Sequence, residues 1–235
     1  KLISNSLRLF KMNLPPDQFI QQFKLQLERS LKHIDINLSE LQMSRMAAHA
    51  TELMTWNEKF NLTAIKHPFD VAEKHFFDSI AVNSFLGDET SLLDIGSGGG
   101  FPGIPLKIMN PAIKIILVDA SRKKINFLKH VIRILKLENI DAIHARVENL
   151  KSDETFFKRF DAVISRAFTD LERFVELSLP LLKRNGRIYA MKGKHMDMEI
   201  TPSISCRFEY KTDHYLLPFE KADRYVITLS TKQDS

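Results

Sequence analysis

The chain has 235 residues, 44% hydrophobic and 27% charged, enough to bury a sizeable core and too apolar for wholesale disorder. No apolar run reaches the roughly 18 residues of a membrane-spanning helix, and the first residues lack the apolar stretch and cleavage site of a signal peptide. A single cysteine, Cys206, excludes an internal disulfide and suits a reducing cytoplasm, while the formal charge of +5 permits a polyanionic partner without requiring one.

In chain order, residues 1–14 read as an arm set apart from the fold, beginning on Lys1, with Met12 a more ordinary starting point. From Pro16 to Leu31, Phe19, Ile20, Phe23, Leu27 and Leu31 recur at steps of three and four, one face of a helix. Ser39 and Gln42 have capping-box spacing and open a second helix that ends near Asn61. Pro68 suits the first turn of a third, Phe69 to Phe85. Residues 15–88 thus read as an all-helical extension. No Ser- or Gly-rich linker divides them from the C-terminal part, so the two are expected to pack as one unit.

At Ser91 the pattern changes. Leu92–Ile95 is a short apolar run, and Ile113–Val118 another that ends at Asp119. Ile140–His144, Phe160–Ser165 and Arg187–Met191 complete five strands. Helices are expected between them, notably Ser121–Leu137 and a segment through Leu171, Phe174, Val175 and Leu182. Continuous apolar strands alternating with helices predict an α/β fold with a parallel, doubly wound sheet. Arg207–Tyr210, Tyr215–Leu217 and Tyr225–Leu229 read as strands with no long helix between them, so an antiparallel strand is expected at or near one edge.

The sharpest feature is the loop after the first strand, Asp94-Ile-Gly96-Ser-Gly98-Gly99-Gly100, opening into a helix through Ile104, Leu106 and Ile108. Glycines let a backbone approach a ligand closely, and the helix start offers free N–H groups. Asp119 ends the next strand 25 positions after Asp94, where a carboxylate can take both hydroxyls of a ribose. The stretch from Gly98 to Gly103 also matches Gly-x-Gly-x-x-Gly, so a nicotinamide dinucleotide has to be weighed. Against it, Asp94 suits a cationic sulfonium better than a pyrophosphate, and Pro102 and Pro105 remove N–H donors. S-adenosylmethionine is the better fit.

These residues resemble the GidB/RsmG family of bacterial small-subunit (16S) ribosomal RNA guanine-N7 methyltransferases, over roughly Asn13 to Leu229. The likeness runs through Trp56–Thr63, His75–Ser79, Leu93–Leu106, Ala145–Glu148, Ile164–Phe168 and Met191–Gly193. The Phe101-Pro-Gly-Ile-Pro105 extension and Ser165-Arg-Ala-Phe168 are its specific parts; Gly99 stands where relatives often carry Ala or Pro. The resemblance implies a Rossmann-like class I methyltransferase fold, with a mostly parallel seven-stranded sheet and residues 89–235 as its core. It implies that Gly96 and Phe101 line the methionine and adenosine side of the cofactor, with Gly98 of the glycine loop also a cofactor-binding residue. Val147 and Glu148 would hold the adenine through backbone groups. Arg166 is implied as a cofactor contact facing the target base, and Lys192 as a substrate contact. Arg166 and Lys192 are the catalytic candidates, and each has a surface salt bridge as its plainer alternative. The implied partner is small-subunit ribosomal RNA, the expected state a monomer, and no metal is expected.

Other residues have blander readings. Asn57, Asn61 and Thr63 are expected to cap helices and orient the pocket mouth, with contact to the target base as the alternative. His75 and Asp78 share a helix face and suit a structural hydrogen bond better than a metal. Arg122, Lys123, Lys124, Lys129, Arg133 and Lys136 make a basic helix: a solvated face, or a phosphate-binding strip beside an RNA site. A methyltransferase acting on a small molecule or a protein, and a non-catalytic nucleotide-binding module, stand as alternatives.

Overall fold

The computed structural model describes residues 14–150, 153–166, 168, 170–193 and 200–231. All of the expected arm but Leu14 lies outside them, as does Ala167 of the Ser165–Phe168 stretch.

Helix α1 (Pro16–Leu31) buries Phe19, Phe23, Leu27 and Leu31, the face set by their spacing. Helix α2 (Glu40–Phe60) opens on the capping box: Gln42 N–H donates to Ser39 Oγ at 3.2 Å, and Ser39 N–H to Gln42 Oε1 at 2.9 Å. It closes on Asn61 at φ 50°, the left-handed conformation asparagine tolerates. The third helical stretch differs from the single helix expected. Helix α3 (Pro68–Val71) passes into a π-helical turn, Ala72–Phe77, then α4 (Asp78–Ala81) and a 3-10 turn, Val82–Ser84. The Lys74 carbonyl, inside the widened turn, accepts from Arg166 Nη1 at 2.9 Å. A long-range partner of this kind leaves no mark in local periodicity.

Seven strands form one sheet in the order β3-β2-β1-β4-β5-β7-β6. Strands β1 (Ser91–Ile95), β2 (Lys114–Asp119), β3 (Ile140–His144), β4 (Phe160–Ser165) and β5 (Leu182–Lys192) run parallel. β7 (Asp223–Thr231) pairs antiparallel with both β5 and β6 (Phe208–Leu216). Helices α5 (Gly103–Met109), α6 (Arg122–Ile134), α7 (Val147–Leu150) and α8 (Leu171–Ser178) make the crossovers.

Three boundaries correct the sequence reading. β5 starts at Leu182, where the apolar spacing predicts the end of a helix. A short helix, α9 (Pro202–Arg207), precedes β6; six residues are too few for a periodic signal. β6 is one strand rather than two, paired with β7 from Phe208↔Thr231 to Leu216↔Asp223. Its polar middle, Lys211 to His214, suggests a break. On an edge strand those side chains instead keep an open ladder from pairing with other chains.

Period-two alternation sends successive strand residues to opposite faces. Leu92, Ile115, Leu117, Ala162 and Ile164 join a cluster with α1, α2, α5 and α6. Leu93, Ile95, Val118, Val163 and Ile188 join another with α8 and Ile204 of α9. The N-terminal helices therefore share their core with one face of the sheet, which brings α2 and the π turn over the C-terminal end of β1.

Candidate active site

The loop after β1 is built from beneath by Asp94. Its side chain is fully buried, and Oδ2 accepts from Gly103 N–H, the start of α5, at 2.9 Å. Gly103 has to be glycine, because a Cβ there would sit 2.7 Å from that oxygen and inside Leu117. Burial pushes the Asp94 carboxyl up to about 7, and Oδ1 has no partner. Asp94 therefore braces the loop; it does not line the cavity above it.

Above the loop lies a cavity of about 150 Å³. Leu62, Thr63 and His75 from the helical layer, the 96–99 loop, Phe101 and Arg166 form its walls. Gly98, at φ +57°, faces open space, since only the Gly96 carbonyl, at 3.8 Å, would meet a Cβ there. Such a cradle suits a ligand approached by backbone. A larger cavity, about 460 Å³, opens beside Ser91, Lys114, Ile140 and Phe160. That is the strand-start end of the sheet, away from where open α/β sheets bind ligands.

Phe101 organises the walls. His75 stacks on it at 4.6 Å between ring centroids, His49 at 4.9 Å, and the Arg166 guanidinium carbon sits 5.3 Å from the ring centre. His49, fully buried on α2, hydrogen-bonds the Gly99 carbonyl through Nε2 at 2.8 Å. Burial lowers its pKa to about 4, so the ring is neutral and Nε2–H is the donor. His75 falls to about 3, through burial first and then the Arg166 charge. Sequence reasoning misses His49; its one signal is a polar residue on the apolar stripe Met46, Ala50, Leu53.

Arg166, just past β4, reaches Asp78 Oδ2 and His75 Nδ1, each at 3.3 Å. Asp78, almost wholly buried, also accepts from Tyr215 O–H at 2.8 Å and pairs with Arg224 Nε at 3.3 Å. His75 and Asp78, which share a helix face in the sequence, thus hold one guanidinium between them. Among the described residues no group of three His, Cys, Asp or Glu side chains is placed to hold a metal.

Of the residues singled out from sequence, Gly96, Gly98, Phe101 and Arg166 meet at this cavity. Asp119 lies beside it with its carboxylate engaged: Oδ2 accepts from Gly98 N–H at 3.0 Å and Oδ1 from Ser121 N–H at 2.8 Å. Lys124 pairs with it at 3.5 Å, which takes one cation from the expected basic strip of α6. Val147 is buried in the second core cluster, and the Glu148 side chain turns to Arg173 at 3.7 Å, leaving backbone as what they can offer a ligand. Lys192 lies at the end of β5. It is 8% exposed and donates to the Phe168 carbonyl at 2.8 Å.

Residues 42–226 match the family model GidB, described as rRNA small subunit methyltransferase G. The chain belongs to this family. The ribosomal RNA small subunit methyltransferase G of Oceanobacillus iheyensis is 38% identical over 229 residues, covering 94% of this chain and 93% of its own. That of Geobacter metallireducens is 39% identical over 220 residues, covering 92% and 99%. Among solved structures, an O-methyltransferase from Bacillus cereus in complex with SAH superposes with a TM-score of 0.59 at 14% identity, over 90% of this chain and all of that one. That likeness establishes the class I methyltransferase fold, with its antiparallel β7, for this family member. None of the described helices is long and apolar enough to cross a membrane.

Proposed function

We propose that this chain transfers the methyl group of S-adenosylmethionine to N7 of a guanine in small-subunit ribosomal RNA. The observation that carries the reading is the family match over residues 42–226, which spans every wall of the cavity at the C-terminal strand ends. Gly96, Gly98 and Phe101 would hold the cofactor, with Asp119 at its ribose, backbone of Val147 and Glu148 at its adenine, and Arg166 at its amino-acid end. Bound there, S-adenosylmethionine supplies an electrophilic methyl group.

Guanine N7 carries an unprotonated lone pair at neutral pH, so its methylation needs no general base. The site agrees: His49 and His75 are neutral and spent on hydrogen bonds, and the Asp94 carboxyl is sealed below the loop. Arg166 and Lys192 are the donors that would hold the base edge in line, one at the end of β4 and one at the end of β5. Guanine offers O6 beside N7 as an acceptor for such a donor. Alignment of N7 with the methyl carbon is then the main source of rate. A ribosomal RNA substrate makes this a cytoplasmic reaction, with residues 15–88 as the extension and 89–235 as the core of one monomeric enzyme.

The test is methyl transfer itself. Purified chain, labelled S-adenosylmethionine and either naked 16S RNA or small subunits from a strain lacking the enzyme should give a single 7-methylguanine, located by mass mapping. Label on a base atom other than N7, or on ribosomal protein, would refute the proposal.

A further inference from the structure

Thr63 is a cavity residue without a role in the proposed reaction. Its backbone N–H donates to Asn57 Oδ1 at 2.9 Å, which fixes the residue on the wall. Its Oγ1 accepts from Ile65 N–H at 3.0 Å and lies 2.9 Å from His75 Nε2.

The direction of that last bond is set by the other ring nitrogen. Arg166 Nη2 has only hydrogens to offer, and it points at His75 Nδ1 from 3.3 Å. Nδ1 is therefore the lone-pair nitrogen. Burial and the neighbouring guanidinium hold the ring neutral, with one proton; the Lys74 carbonyl that could take it from Nδ1 already accepts from Arg166 Nη1 at 2.9 Å, which leaves the proton on Nε2. Nε2–H then donates to Thr63, and both lone pairs of the hydroxyl are taken. What remains is the hydroxyl hydrogen, a donor aimed from the wall of a cavity that has Arg166 on it and no carboxylate among its described lining. A fixed donor beside a cation matches an anionic oxygen.

We propose that the Thr63 hydroxyl binds the carboxylate at the amino-acid end of the cofactor, next to Arg166. His75 is its positioning residue, fixing which way the hydroxyl hydrogen points. The assignment rests on S-adenosylmethionine being the ligand of this cavity.

Two probes separate the ends of the cofactor: S-adenosylhomocysteine, and methylthioadenosine, which lacks the amino-acid end. Thr63→Val should weaken S-adenosylhomocysteine binding by roughly 10- to 100-fold, the size of a missing hydrogen bond to a charged group. Methylthioadenosine binding should stay near wild type, which also shows that the variant is folded. Thr63→Ser should restore affinity. In an Arg166→Ala background Thr63→Val should still cost affinity, because the hydroxyl acts directly and not through the guanidinium. Equal loss of both probes in a variant that melts like wild type overturns the assignment. So does normal S-adenosylhomocysteine binding with slowed methyl transfer, which would turn the donor toward the RNA. Should Thr63→Val melt early, Thr63→Cys, of similar size and a weaker donor, carries the same comparison. A wild-type chain that binds neither probe would instead sink the cofactor reading.

Discussion

Replacing Asp119 with alanine tests whether one carboxylate does two jobs. It holds the N–H groups of Gly98 and Ser121 at 3.0 and 2.8 Å and pairs with Lys124 at 3.5 Å. A hydrogen bond to a charged acceptor contributes about 1.5–3 kcal/mol, and a 3.5 Å pair whose lysine is partly exposed at most about 1 kcal/mol. Water can reach the freed Gly98 N–H, so the sum is an upper bound, and a loss of about 2–4 kcal/mol is expected without any ligand. For a chain of this size that lowers Tm by roughly 5–12 °C. Asp119→Asn, which keeps an acceptor for one of the two N–H groups, should fall between. Cofactor affinity should drop as well, since the brace on the Gly98 loop and the ribose acceptor are one side chain. Scanning calorimetry of the free chain and titration with S-adenosylhomocysteine read the two effects separately. A variant that melts within about 1 °C of wild type yet loses the ligand would show that Asp119 does not hold the loop. One that melts early and binds normally would show that it does not touch the ligand.

Two further outcomes are expected from charges seen in the structure. Lys123, Lys129 and Arg133 on α6 are exposed, and their combined replacement by alanine should weaken RNA binding and flatten its log–log salt dependence by roughly 0.7–0.9 for each phosphate no longer neutralised, with cofactor affinity unchanged; an unaltered slope returns α6 to a solvated face. Asp94 is held at about 7 against an ordinary 3.8, so the folded chain binds the extra proton, and that stabilisation, complete below about pH 4, is lost as pH rises through 7. Asp94→Asn should therefore unfold with a flatter stability profile between about pH 5 and 8 in urea titrations; parallel profiles would show that the carboxyl titrates normally.

Local chemistry was legible in the sequence wherever the signal was local. The Ser39–Gln42 box, the Asn61 cap and the Asp94–Gly103 loop each work through neighbours a few residues away, and the sequence displays both partners. Illegible were the residues whose partners are distant in the chain. The π turn at Ala72–Phe77 lies against Arg166, and His49 meets Gly99 from the facing helix. Asp78 is settled by Tyr215 and Arg224 from the last hairpin. Asp119 reads in the sequence as a free ribose acceptor because nothing in the spacing shows that its own loop already donates to it.

The Asp78 junction also sets an order of events during synthesis. The helical layer, β4 and the last hairpin meet there through Asp78, Arg166, Tyr215 and Arg224. A nascent chain can pair β1 to β5 and cover one face with α1 and α2 before the hairpin has left the ribosome. Until Tyr215 and Arg224 arrive, Asp78 keeps Arg166 but lacks these two partners, so the carboxylate that helps hold the cavity-wall guanidinium is not yet fixed from its other side. The β6–β7 hairpin, made after the five parallel strands, thus completes the junction behind the cavity, and a chain cut before Phe208 would lack the Tyr215 and Arg224 partners of Asp78.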